Sequence, residues 1–192
     1  MNPDRDKSAL RTAARVRRNT ITADQRASFS AAICSRLQQH LRHIAGTECL
    51  LAYRATTNEV DTAAIFADPP CRLFAPRTHD HGMLDWLEVS AATTWKPGAF
   101  GIMEPQEGSC WSPEAGSTVL VCPMTGFDRQ GNRLGMGKGC FDRWLAQHRS
   151  HLSLVIGLAF ACQEIPAIPA EAHDMPLDVI ITEREAIACP AR

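Results

Sequence analysis

The sequence predicts an α/β protein built on a mostly parallel sheet with helices on both faces, and three observations carry that prediction. Runs that are apolar throughout, such as Cys49-Leu50-Leu51-Ala52-Tyr53 and Val119–Cys122, alternate with helical segments. Strands buried on both faces show this lack of polar alternation. A length of 192 residues suits a single domain, 1–192, with a substantial core. Finally, a glycine-rich loop follows an apolar strand and opens a helix, where such sheets place their ligands.

Residues 4–18, rich in Ala, Leu and Arg, read as a helix. Thr22-Ala-Asp-Gln25 is a capping box that opens a second helix to about His43, and the short Asn19–Ile21 link makes the pair an N-terminal helical hairpin. Cys49–Tyr53 is a buried strand, Val60–Phe66 a short helix, and Arg72–Ala75 a strand closed by Pro76. Leu84–Val89 alternates enough for a half-exposed strand near an edge. Residues 91–117 are broken by prolines and glycines into a long loop with at most fragments of structure. Val119–Cys122 is a central strand, Phe141–His148 a helix, and Leu152–Phe160 and Val179–Thr182 are further strands.

The net charge of −1, from 20 basic and 21 acidic residues, gives no global field for nucleic acid or anionic membranes. No apolar run approaches the ~20 residues of a membrane span. Arg5, Lys7, Arg11, Arg15, Arg17 and Arg18 precede no apolar stretch, which excludes a secretory signal, and Asp4 and Asp6 argue against a mitochondrial presequence. Cysteines at 34, 49, 71, 110, 122, 140, 162 and 189 have no Cys-x-x-Cys pair, so they read as small hydrophobes of a reduced, cytoplasmic chain.

The glycine loop carries the chemistry. Gly135, Gly137 and Gly139 alternate, leaving backbone N–H groups uncovered and positive φ available, while Arg133 and Lys138 add positive charge. It is not a P-loop: Gly139 follows Gly137-Lys138, and Asn132 stands where the first glycine belongs. It is not a dinucleotide fingerprint, because Cys140 occupies the third glycine position. Lys7 and Arg11, four apart, share a helix face that could reach phosphates or simply be solvated. Arg15, Arg17 and Arg18 read as solvent-facing. His79-Asp80-His81, His40/His43 and His148/His151 lack the partners of a tetrahedral metal site and read as surface histidines.

The stretch Pro123-Met-Thr-Gly-Phe127-Asp128-Arg-Gln-Gly131-Asn-Arg133-Leu-Gly135-Met-Gly137-Lys-Gly139-Cys-Phe-Asp142-Arg143 resembles the signature of the 5-formyltetrahydrofolate cyclo-ligase family. Lys7-x-x-Leu10-Arg11, Glu59-Val-Asp61-Thr62, Gly101-Ile-x-Glu104-Pro105 and Asp174-x-Pro-x-Asp178-x-Ile-Ile-Thr182 extend the likeness, in order, over nearly the whole chain. The resemblance implies a three-layer fold. It also implies MgATP-dependent closure of 5-formyltetrahydrofolate to 5,10-methenyltetrahydrofolate, with ADP and phosphate released through an iminophosphate.

By the same resemblance, Lys7, Arg11 and the run Arg133, Leu134, Gly135, Met136, Gly137, Lys138, Gly139, Cys140 and Phe141 hold ATP. Glu59, Arg54 and Met136 to Cys140 hold the reduced folate, with Glu59 accepting from the pterin N–H donors. Arg133 and Lys138 are the catalytic charges, and Asp142 and Asp178 the Mg²⁺ ligands. The expected partners are small molecules, with no nucleic acid or membrane, and the protein is expected as a monomer or weak homo-oligomer. Cys140-Phe141 departs from the family's usual aromatic pair, removing a flat contact and a hydroxyl. Two other readings stay open: a diverged ATP-binding enzyme acting on another formyl or amide substrate, and a non-catalytic folate- or nucleotide-binding regulator.

Overall fold

In the computed structural model, which describes residues 3–44, 46–98, 101–171 and 174–191, two helices lead into an alternating α/β chain. Helix α1 spans Pro3–Asn19 and α2 spans Ala23–His43. Thr22 caps α2 as the capping box requires: its hydroxyl accepts from Gln25 N at 3.2 Å, and the Gln25 side chain accepts from Thr22 N at 3.0 Å. The two helices of the expected hairpin are there, joined by a short turn, but they address different cores. Ile33, Cys34, Leu37 and Leu41 of α2 pack on the sheet. Ala14 of α1, with Leu10, packs on Leu134, Ile165 and Ile168 beyond the strand ends.

The chain continues as β1 Cys49–Ala52, α3 Ala63–Ala67, β2 Arg72–Thr78 and β3 Leu84–Val89. Strand β2 runs through Pro76 rather than stopping there. The register with β1 ends at Leu51↔Phe74, so the proline's missing N–H costs no bond to that neighbour. The long loop holds the ribbon β4 Trp95–Pro97 and β5 Met103–Pro105; its residues 99 and 100 lie outside the described ones. Then come β6 Thr118–Pro123, the hairpin β7 Gly126–Phe127 and β8 Arg133–Leu134, and helix α4 Cys140–His148. Strands β9 Leu154–Leu158, β10 Val179–Ile181 and β11 Ala186–Ala188 complete the chain.

The 7-stranded sheet has the order β11-β10-β9-β6-β1-β2-β3, so β6 is its centre, as its apolar run predicts. Its inner strands are parallel, and antiparallel β3 and β11 form the edges. Alternate residues separate the layers. Leu51, Leu120 and Ile180 face Trp144 and Leu145 of α4. Leu50, Val119 and Ile181 face α2 and Ile65 of α3. The chain turns outward in opposite directions from β1 and β6, and this reversal opens a crevice at their carboxyl ends.

Eight free cysteines are present, and Cys34, Cys49 and Cys122 lie in the cores. Burial pushes the Cys122 thiol from the ordinary 9.0 to about 12, and Cys34 to about 11. The folded protein keeps these thiols protonated where the unfolded chain ionises, so their stabilisation is complete below the unfolded pKa and is lost as pH rises through the folded values. The melting temperature should therefore fall as pH rises above 9.0 towards about 12. Cys122→Ala should shallow that decline, which calorimetry across pH would show. His148 is not a free surface group: its ring stacks on Trp144 at 4.5 Å, and its Nδ1 lies 2.9 Å from the Trp144 carbonyl.

Candidate active site

A cavity of about 570 Å³ fills the crevice at the carboxyl ends of β1, β2 and β6. The glycine loop forms one wall, the loop after β1 a second, α1 a third, and Ile102 and Glu104 close it from the ribbon. Its volume is that of a small-molecule site.

Local bonds explain how each wall is held. After β1, Tyr53 O accepts from the Thr62 hydroxyl at 2.7 Å, and Tyr53 OH donates to Val60 O at 3.0 Å. Thr62 thus closes the loop instead of facing ligand. Glu59 is carried inside it, 7% exposed, with Oε2 accepting from Thr56 N at 2.8 Å. The Arg54 guanidinium is held over the rings of Trp95 at 4.8 Å and Phe66 at 5.0 Å, so a charged side chain is accommodated there by cation–π contact.

The hairpin before the glycine loop hangs on Asp128. This buried carboxylate accepts from Gln130 N, Asn132 N, the Asn132 side-chain amide and Ile168 N at 2.8–3.1 Å. Gly131 has φ +84, and a Cβ there would meet Leu177 O at 2.6 Å. Arg133 follows, its side chain 3% exposed, with Nη2 donating to Asp142 Oδ1 at 2.5 Å. Its Nε is buried without a hydrogen-bond partner among the described residues. Leu134 is buried beneath the loop, while Met136 is 50% exposed at the rim with Gly137 and Lys138.

Gly137 (φ +98) and Gly139 (φ +67) use the left-handed region, the latter opening α4. Gly135 does not; its carbonyl instead accepts from Arg11 Nε at 3.2 Å. Cys140 and Phe141 line the cavity, with Phe141 edge-on to Trp86 at 6.0 Å.

The structure therefore brings Glu59, Arg54, Arg133, Gly135, Met136, Lys138, Gly139, Cys140, Phe141 and Asp142 to one cavity. Lys7, Arg11, Leu134, Gly137 and Asp178 are not part of its lining. Asp178 immediately precedes β10, accepting from Arg149 Nη2 at 2.7 Å and Val155 N at 2.6 Å. Arg149 lies just past the carboxyl end of α4, whereas Asp142 sits in its first turn, about 10 Å away along the helix axis. Asp178 thus fastens the end of α4 and β9 to the start of β10, and it does not line the cavity.

Lys7 is held by Glu171 and by Asp174 Oδ2 at 2.6 Å, and it does not line the cavity. Burial alone would lower its ammonium; hydrogen bonds to Asp174 and Glu171 outweigh that and raise its pKa. Its stabilisation is therefore complete below 10.5 and is lost only at higher pH.

Arg18 corrects a different expectation. It is 8% exposed and faces the cavity, not solvent. Arg17 is exposed but clamps the turn after β9, donating to Cys162 O at 2.8 Å and Glu164 O at 3.2 Å. Arg15 reaches Met136 O at 3.5 Å. Positions 7, 11, 15 and 18 form one continuing helix face. That spacing was the available signal for Arg18, and Lys7 and Arg11 are only its first half.

A mostly parallel α/β sheet thus carries a cationic glycine loop and buried donors without a partner among the described residues at its switch point. The chain belongs to the 5-formyltetrahydrofolate cyclo-ligase family, a family of ligases whose model matches residues 3–183. It is 28% identical to the 5-formyltetrahydrofolate cyclo-ligase of Mus musculus over 92% of this chain and 93% of that protein. With the Haemophilus influenzae cyclo-ligase it shares 36% identity, over 50% of this chain and 52% of its relative, about half the length of each. The NMR structure of Aquifex aeolicus 5,10-methenyltetrahydrofolate synthetase superposes with a TM-score of 0.80 at 30% identity, covering 97% and 94% of the two chains. No helix among the described residues is long and apolar enough to cross a membrane.

Proposed function

We propose that the protein uses MgATP to convert 5-formyltetrahydrofolate into 5,10-methenyltetrahydrofolate, ADP and phosphate. The observation that carries this reading is the single cavity joining a carboxylate wall at Glu59 to a phosphate wall at Arg133, Gly135 and Lys138. Glu59 accepts from the pterin's N–H donors, and the glycine loop holds the triphosphate. The formyl oxygen attacks the γ-phosphorus and ADP leaves. N10 then attacks the formyl carbon, loses its proton, and phosphate departs with the former formyl oxygen.

No protein nucleophile is needed. Arg133 and Lys138 counter the charge on the moving phosphoryl group and hold the reactants in line. The buried Arg133 Nε, without a partner among the described residues, is a donor available for that purpose.

Among the described residues no three His, Cys, Asp or Glu side chains form a metal cage. Mg²⁺ bound with ATP needs only one or two carboxylates besides phosphate oxygens and water. Asp142 fits that role, since it lines the cavity and its Oδ2 has no hydrogen-bond partner among the described residues. The ion would neutralise phosphate charge there.

The reading requires one ADP and one phosphate per folate consumed, and no ADP when 5-formyltetrahydrofolate is omitted. ADP release that ignores the formyl folate but responds to another formyl or amide compound would instead favour the diverged-enzyme reading raised by Cys140.

A further inference from the structure

Arg18 presents a buried side chain whose guanidinium no described residue holds. It is 8% exposed on the cavity wall, and its Nε is buried without a hydrogen-bond partner. Its guanidinium makes no ion pair among the described residues. A guanidinium whose Nε is buried without a partner is costly to keep. Burial lowers its pKa, and the charge on Glu59 is the largest influence opposing that. Yet Glu59 spends its Oε2 on Thr56 N, and its Oε1 accepts from no described residue. One wall of the cavity thus offers a spare acceptor and spare donors in each other's field.

The sign of that field selects the ligand group. A phosphate or carboxylate at Arg18 would also meet the like charge of Glu59. A neutral edge with N–H donors beside a carbonyl oxygen satisfies both residues at once. We infer that Arg18 is a specificity residue that donates to a neutral carbonyl oxygen of the substrate, the 4-oxo group of the pterin, beside the N–H groups taken by Glu59. This rests on the folate reading proposed above.

The test uses wild type and Arg18→Met, with 5-formyltetrahydrofolate as substrate. Two folate inhibitors that differ only in carrying an oxo or an amino group at ring position 4 serve as probes. Wild type should prefer the 4-oxo inhibitor by about 10- to 100-fold, as a hydrogen bond to a charged group allows. The preference should shrink to about threefold or less in the variant, with KM for the formyl folate raised about tenfold and kcat within about threefold. The melting temperature of the ligand-free variant should equal or exceed that of wild type, because an unpaired buried charge has been removed. A purely structural role would lower it.

An active wild type whose preference and KM survive Arg18→Met overturns the Arg18 assignment alone. Weakened ATP binding with unchanged folate binding overturns it too, by placing Arg18 on the nucleotide. A wild type that neither turns over nor binds any folate overturns the folate reading, and this inference with it.

Discussion

Arg133→Lys should lower kcat/KM by about 10²- to 10³-fold with little change in melting temperature, the scale of losing one preorganised donor. Lysine keeps a positive charge opposite Asp142 but cannot reproduce the planar fork. Arg133 uses one Nη on Asp142 at 2.5 Å and leaves Nε buried without a partner among the described residues. The fold therefore already pairs one side of the guanidinium and keeps another donor in reserve. Lysine has no equivalent of that second, fixed donor. Arg133→Ala should cost at least as much activity and also lower stability, because Asp142 then loses its partner. Steady-state kinetics beside thermal melts separate the two effects. A lysine variant with near wild-type kcat/KM would remove Arg133 from the catalytic role.

Asp128→Ala should be the most destabilising change near the site, by about 3–5 kcal/mol, because buried donors would lose a charged acceptor. Gln130 N, Asn132 N and Ile168 N all end on this carboxylate, together with the Asn132 amide. For a protein of this size the melting temperature should fall by about 6–20 °C. Since the Asp128 hairpin sets the position of Arg133, activity should fall at temperatures where the variant is still folded. Chemical denaturation gives the free energy, and kinetics well below the melting point give the second effect.

The sheet was legible because its strands are covered on both faces, so burial writes the whole run as apolar. Val119 to Cys122 is the clearest case, and it is the central strand. Short pieces that depend on tertiary contacts were not legible. The hairpin of β7 and β8 holds together through Asp128, whose partners reach as far as Ile168. The edge strand β11 is three residues long and leaves too little pattern to read.

The site divides in the same way. Gly137, Gly139 and Arg133 announce themselves by residue type and spacing. Asp178 and Arg18 could not be sorted by type, since an acid at a strand start and an arginine on a helix each have common structural uses. Distant partners decided both. Arg149 claims Asp178, while no described residue claims the Arg18 guanidinium. Asp174-x-Pro-x-Asp178 entered the reading through a family resemblance, and in this structure its acids hold Lys7 and Arg149.

The central claim is that one cavity joins a triphosphate to a formyl folate. Its most direct test is the near-ultraviolet absorbance of purified protein mixed with 5-formyltetrahydrofolate. Growth of the methenyl product's absorbance when MgATP is added, and none without ATP, is the predicted result. A flat trace from folded protein that binds ATP would contradict it.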